Sequence, residues 1–315
     1  MLKLENVSKI YNTGTFGGKQ FKAVRDVNFD IKDGEIVSLI GESGSGKSTI
    51  GKMILRLIST SQGKITYDGL DVSKIKGDQV KEYYRRVQGV FQDPFSTYNP
   101  IFKADRIFEI LHEEFYPSIP KTEWDDRVKT ALKSVGMNPA HVLNKFPHQL
   151  SGGQLQRFLI ARTLLLDTKF LVADEIISML DASTRIDVLN LLADLRTKGL
   201  SVLFITHDLS LGYYISDRAV ILYKGSVVEI GDTKKIFDNP IHPYTQMLMC
   251  CVPRLDQKWE ETEVELTERK PMTPDGCVFY ERCHSPHRRE DCGHRTPSLV
   301  EVEPNHSVAC VCCGG

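Results

Sequence analysis

The stretch Gly41-Glu42-Ser43-Gly44-Ser45-Gly46-Lys47-Ser48-Thr49 has the spacing G-x-x-x-x-G-K-[ST]. Glycines at 41, 44 and 46 let the backbone turn its N–H groups inward around an anion, and a following helix adds the positive end of its dipole. Lys47 can then reach the outer phosphates of a nucleotide, and Ser48 can offer its hydroxyl to Mg²⁺. Two carboxylates, Asp174 and Glu175, close the apolar run Phe170 to Ala173. Such a pair can divide the work of phosphoryl transfer, Asp174 holding Mg²⁺ directly or through water and Glu175 polarising the attacking water. His207, at the tip of Leu203-Phe204-Ile205-Thr206, is placed to touch the γ-phosphate or hold that water. Gln92 follows the apolar segment Val87 to Phe91, and its amide can meet the metal ion or the water. Leu150-Ser151-Gly152-Gly153-Gln154 opens a helical run, so its free N–H groups, its Ser hydroxyl and the helix dipole make a second anion site. Tyr11 offers an aromatic face on which a base can stack.

The elements around these residues read as an α/β arrangement. Ile36 to Ile40 enters the phosphate loop as a buried strand, and Ser48 to Leu57 leaves it with helical spacing. Residues 2 to 31 read as the edge of a sheet interrupted by the loop Thr13 to Gln20. From Phe95 to about Asn144 strand character gives way to helical stripes, with Ile107, Ile110, Leu111, Val128, Leu132 and Val135 as expected core. Val220 to Tyr223 and Val227 to Ile230 flank Lys224-Gly225 as a hairpin. A helix of about ten residues is expected beyond the stretch Asn239 to Tyr244, then a charged linker from Trp259 to Lys270.

At 315 residues the chain is long for one core and is expected to hold a large domain plus an appendage. Forty basic against forty-one acidic residues argue against electrostatic capture of nucleic acid. No apolar run approaches the ~20 residues of a membrane span, and Met1-Leu2-Lys3-Leu4 opens like a strand, so a cytosolic chain is expected. Six of the eight cysteines fall between Cys277 and Cys313, a crowding that in a reducing compartment points to metal before disulfide. Cys277-x5-Cys283-x8-Cys292-x17-Cys310 supplies four thiols among Pro274, Gly276, Pro286, Gly293 and Pro297, with no helix or strand expected to bury a core there. A [4Fe–4S] cluster, a zinc site helped by His284, His287, His294 or His306, and free thiols all fit that spacing.

With the phosphate loop, Gln92, Leu150 to Gln154, Asp174-Glu175, Ser178 to Asp181 and His207 in this order, the chain resembles the nucleotide-binding subunit of an ABC transporter. The resemblance covers residues 2 to about 250. It implies a P-loop NTPase of ABC type with an antiparallel β edge and an inserted helical subdomain at about 95–165, within a nucleotide-binding domain at 1–255. It further implies two such subunits head to tail, with ATP between the loop of one and the Leu150, Ser151, Gly152, Gly153, Gln154 signature of the other. On this reading Tyr11 stacks on adenine, Gly41, Ser43, Gly44, Ser45, Gly46, Lys47, Ser48 and Thr49 hold the phosphates, and Ser48, Gln92 and Asp174 serve Mg²⁺. Glu175 is the catalytic base, His207 the switch histidine, and Asp181 the D-loop acid at the dimer contact. Ile176-Ile177, where Pro-Thr is usual, and Met179 depart from the pattern beside Asp181.

Phe91-Gln92-Asp93-Pro94 continuing to Asn99-Pro100, the stretch Asn239 to Thr245, and the cysteines resemble the dipeptide/oligopeptide importer ATPases, a group that includes nickel importers. This implies import of di- or oligopeptides, with nickel or another small solute as the alternative. It also implies a paralogous second ATPase, two permeases, an extracytoplasmic substrate-binding protein and a place at the cytoplasmic face of the membrane. By the same resemblance the extension at 256–315 carries a [4Fe–4S] cluster on Cys277, Cys283, Cys292 and a fourth thiol from Cys310, Cys312 or Cys313, with zinc as alternative. A soluble ABC ATPase working on DNA or ribosomes would call for a coiled-coil insertion, tandem halves or a basic surface, and the sequence has none of these.

Overall fold

The structure, a computed structural model, describes residues 1–12, 18, 20–250 and 276–312. The loop at 13–17, the linker from Trp259 to Lys270, Cys251 and Cys313 lie outside the described residues. The described residues divide into two compact units that interleave along the chain: those within 31–36 and 68–204 with Met1 form one, and those within 2–30, 37–67 and 205–312 the other.

In the first unit the strands Val87–Val90 and Phe170–Asp174 pair in parallel, Val87 opposite Phe170 and Val90 opposite Ala173. All five residues from Phe170 to Asp174 are buried, as a strand covered on both faces requires. Between these strands in the sequence run the helices Arg106–Phe115, Lys121–Ser134, Pro139–Val142 and Gly152–Leu165. Their core is aromatic: Trp124 is fully buried and donates its indole N–H to the carbonyl of Phe108 at 3.1 Å, and Phe108 stacks on Phe158 at 5.4 Å. Leu111, Val128, Leu132 and Val135 are buried as expected, but Ile110 is 45% exposed. Phe108, three residues before Leu111, takes the inward place that the sequence pattern gave to Ile110.

In the second unit the strand Leu2–Asn12 lies between Gln20–Ile31 and Gln62–Tyr67, antiparallel to the latter with Leu2 opposite Tyr67. Ile36–Ile40 pairs in parallel with Arg218–Tyr223, which forms the expected hairpin with Ser226–Asp232. The helix after the phosphate loop spans Lys47–Ile54 and stops short of Leu57, because Arg56 adopts a left-handed φ of 56° that no helix continues. Leu57 is 56% exposed in consequence.

The C-terminal segment departs most from expectation. It holds two strands, Val300–Glu303 and His306–Val308, and the second pairs antiparallel with Ser226–Asp232, Glu229 opposite Val308. Val278 and Phe279 are buried with Tyr223, Tyr244 and Ile236 in one apolar cluster. The segment therefore extends the sheet and shares its core, where the sequence suggested a metal centre as its sole organiser.

Candidate functional site

The phosphate loop is shaped by contacts that exclude any side chain at its first glycine. A Cβ on Gly41 would stand 2.1 Å from the carbonyl oxygen of Leu222, so only glycine fits. Gly46 takes φ 104° immediately before the helix, and the N–H of Ile50 closes the first helical turn on its carbonyl at 3.1 Å. The loop is also sewn to the neighbouring hairpin: Gly225 N–H donates to Ser45 O at 2.8 Å and Arg25 N–H to Gly225 O at 2.8 Å. Lys47 is 5% exposed, and its ammonium donates to the carbonyls of Gly41 at 2.7 Å and Glu42 at 2.9 Å. A buried cation must be met by acceptors, and here the loop curls its own carbonyls around it. Ser45 Oγ is buried without a hydrogen-bond partner among the described residues, while Ser43, Gly44 and Ser48 face solvent. An uncompensated hydroxyl beside a cation and a helix start is the chemistry of an anion cradle.

In the same unit His207 is exposed at the end of the strand Ser201–Thr206. Asp208 caps the next helix, accepting from the N–H groups of Ser210 at 2.9 Å and Leu211 at 3.3 Å. Tyr11 is 38% exposed near the end of its strand, with Lys9 Nζ 5.3 Å from the ring centre.

The other unit holds the remaining candidates. Asp174 is buried at its strand end, and Glu175 follows with φ 50°, a left-handed conformation that costs a non-glycine residue about 1–3 kcal/mol. The turn after it is closed by Ser178, whose N–H and hydroxyl both donate to Glu175 O, at 3.1 and 2.9 Å. Ile176 and Ile177 are buried there, so the departure from Pro-Thr is absorbed by the core, while Met179 is exposed. Asp181 caps the helix Ala182–Thr197; the Ser183 hydroxyl first, then the N–H and hydroxyl of Thr184, hold its carboxyl well below the usual range. Ser151 caps Gly152–Leu165 in a reciprocal box: its Oγ accepts from Gln154 N–H at 3.2 Å and its N–H donates to Gln154 Oε1 at 2.9 Å. The capping leaves Gly152 and Gly153 to present their N–H groups at the helix start. Gln92 is exposed beyond the strand Val87–Val90, and the adjoining Phe91 carbonyl accepts from Gln156 Nε2 at 3.2 Å.

The cysteine segment converges as well. Cys277, Cys283, Cys292, Cys310 and Cys312 all line one small cavity. Cys292 Sγ and Cys312 Sγ are 3.4 Å apart, and burial pushes the Cys277 thiol up to about 11. Among the described residues no three His, Cys, Asp or Glu side chains gather as ligands of one metal ion. His306 does not serve this cavity: it is fully buried, with Nε2 2.7 Å from Glu229 and Nδ1 2.9 Å from Glu303. Its proposed help to zinc is thereby excluded, since both ring nitrogens are engaged by carboxylates. His242, which the sequence reading passed over, lines the cavity instead; its Nδ1 accepts from Tyr244 N–H at 3.0 Å, and burial lowers its pKa to about 4.

Sequence reasoning also missed a link between this segment and the phosphate loop. Arg282 Nη1 donates to both carboxylate oxygens of Glu42, at 3.0 and 2.9 Å, and Glu42 N–H donates to Tyr244 Oη at 3.0 Å. Only the opposite charges at 42 and 282 hinted at it, and they lie 240 residues apart.

Residues 24–178 match the family model described as ABC transporter, and residues 228–292 the one described as oligopeptide/dipeptide transporter, C-terminal region. The chain is 40% identical over 317 residues to a protein of Brucella ovis named as a peptide import ATP-binding protein, covering 99% of this chain and 97% of that one. It is 42% identical over 294 residues to the oligopeptide transport ATP-binding protein OppF of Streptococcus pyogenes serotype M1, covering 93% and 90%. Among solved structures it is similar to the ATP-binding cassette MJ0796, a dimer bound to ADP and Pi. That likeness has a TM-score of 0.67 and 30% identity, over 74% of this chain and 99% of that one. It is similar too to cbiO1 of Clostridium perfringens, part of an ABC transporter complex, with a TM-score of 0.64 and 27% identity over 76% and 90%.

Proposed function

The chain belongs to the ABC transporter ATP-binding family, in its oligopeptide-import branch, and from that premise we propose the parts its residues play. It is an ATPase that energises oligopeptide import, and it works with permease and substrate-binding partners. The observation that carries the residue assignment is Lys47, buried in a loop of its own carbonyls beside the unpartnered Ser45 hydroxyl. Arrival of a triphosphate gives this ammonium and the inward N–H groups the anion for which they are arranged. Tyr11 stacks on the adenine. Ser48 and Asp174 offer hydroxyl and carboxylate to Mg²⁺, which when bound neutralises charge on the phosphate oxygens. Glu175 orients and polarises the attacking water, and His207 steadies it against the γ-phosphate.

Ser151, Gly152 and Gly153 serve the nucleotide held by the loop of a second ATPase subunit, so that each chain brings two half-sites and a paralogue completes the pair. Asp181 stands at that contact. ATP-driven closure of the pair then works the permeases, to which Gln92 reports the state of the site. The chain attaches at the cytoplasmic face of the membrane through the permeases; among the described residues no helix is long and apolar enough to cross a membrane.

Cys277, Cys283, Cys292 and a fourth thiol from Cys310, Cys312 or Cys313 would hold a [4Fe–4S] cluster, with zinc as the alternative, and the bound group would supply a rigid crosslink of the segment. The fit rests on five thiols around one cavity. Anaerobically purified protein is therefore expected to be brown, with broad visible absorbance; a colourless preparation with stoichiometric zinc would overturn the cluster.

The decisive experiment on the ATPase assignment is Glu175→Gln in the assembled transporter. Hydrolysis should fall by about 10²–10⁴-fold while ATP still binds and holds the pair closed. Undiminished turnover would remove Glu175 from its role.

A further inference from the structure

We propose that Arg282 is a positioning residue of the nucleotide site, through which the cysteine-rich segment sets the affinity of its own chain for ATP. The inference rests on the reading of residues 41–49 as the phosphate site. Glu42 places a carboxylate on a loop that must receive a highly charged anion. Left bare, that carboxylate repels the ligand it adjoins. Arg282 meets it with two hydrogen bonds from Nη1, at 3.0 and 2.9 Å, and extends Nη1 to Tyr223 Oη at 3.4 Å. The guanidinium therefore cancels the charge and fixes the side chain that bears it.

The other end of Arg282 belongs to the cysteine segment. It sits in the turn Tyr280–Arg282, immediately before Cys283 and on the buried Phe279. Its guanidinium lies 5.7 Å from the Tyr223 ring centre and 6.0 Å from that of Phe279. Tyr244, packed against Phe279 at 5.5 Å, accepts the N–H of Glu42 and so holds the backbone of the same residue. Both the charge and the course of the loop at Glu42 are thus set from the C-terminal segment. As a contribution to stability a half-exposed pair of this kind is small. Its effect on a ligand with several negative charges is larger, because every phosphate charge senses the same carboxylate.

The test is equilibrium binding of a fluorescent ATP analogue to the full-length chain carrying its cysteine centre, with metal content and thermal melting as checks on the segment. Arg282→Ala should raise Kd about three- to tenfold at low salt, and the difference should shrink as salt is added. Arg282→Lys should keep most of the affinity. Adding Glu42→Gln to Arg282→Ala should bring Kd back to within about twofold of the parent, a rescue that a purely structural role does not give. Glu42→Gln alone leaves the segment untouched and should tighten binding about two- to threefold, because the freed guanidinium then faces the anion. An unchanged Kd in Arg282→Ala, weaker binding in Glu42→Gln, or no rescue in the double variant would each overturn the proposal. Lys47→Ala is the separate control: if it binds the analogue as the parent does, the loop is not the nucleotide site and the premise itself has failed.

Discussion

The phosphate loop and the cysteine-rich segment each draw several polar groups together at one place, yet the groups at their centres are held in different ways. The cation of the loop is held by near neighbours in the chain, Lys47 reaching back six and five residues to Gly41 and Glu42, while the edge of the loop is tied to Gly225, Tyr244 and Arg282. The C-terminal segment is folded by distant ones, with His306 bonded to Glu229 across 77 residues and Arg282 to Glu42 across 240. A group held by local contacts tolerates change elsewhere in the chain. A site made of distant contacts exists only when the sheet does, so damage to the sheet reaches it.

The largest effect expected from this contrast is on the segment's side. Glu229 is fully buried and accepts from the N–H groups of Ile241 and His242, both at 3.0 Å, and pairs with His306 at 2.7 Å. Glu229→Ala strips partners from all three, at a cost of about 3–5 kcal/mol. Hydrogen exchange should show the strand His306–Val308 opening, while the turn around Lys47 keeps its protection. Equal loss of protection at both places would break the contrast. Next in size is Lys47→Ala, which should weaken ATP binding about 100-fold, or about 2.7 kcal/mol. Because the contacts it loses are local, the melting of the strand His306–Val308 should stay where it was. Cooperative loss of that strand would mean that the two sites are one structural unit.

The same contrast decides what the sequence made legible. Buried parallel strands such as Ile36–Ile40 and Phe170–Asp174 are largely continuous apolar runs, and the helix start at Ser151 to Gln154 spans four residues, so each declares itself within a short window. The hairpin around Lys224-Gly225 is read for the same reason. The strand Val300–Glu303 has no such window: its valines at 300 and 302 are 38% and 36% exposed, and its pairing runs through a strand that itself needs Ser226–Asp232. Tyr223, Tyr244 and Phe279 form one aromatic cluster from three separate parts of the chain, and no periodicity joins them. Cysteine spacing drew attention to residues that line one cavity but hid the sheet that carries them. Ile110 failed differently, since two helical phases were open to that stretch and the packing of Phe108 on Phe158 selected the other.

The smallest effect expected is a pH dependence confined to the segment. Hydrogen bonding to Glu229, then to Glu303, raises the pKa of His306 above its ordinary 6.5, against the opposing pull of burial. A base whose pKa is raised on folding contributes its full stability below the unfolded value and loses it as pH climbs through the folded one. The carboxyl of Glu303 is lowered from 4.5, chiefly by the same hydrogen bond, so its share is present above 4.5 and lost as pH falls through the folded value. The Glu303–His306 pair is therefore complete between the ordinary values of the two groups, 4.5 and 6.5, and weakens on either side. Exchange protection of Val308 in the full-length chain should peak in that window and decline from 6.5 upward. In His306→Gln the alkaline decline should vanish, because an amide can bridge the carboxylates but has no proton to lose in this range. A decline that persists in the variant would place the titrating group elsewhere and leave the buried histidine a neutral crosslink.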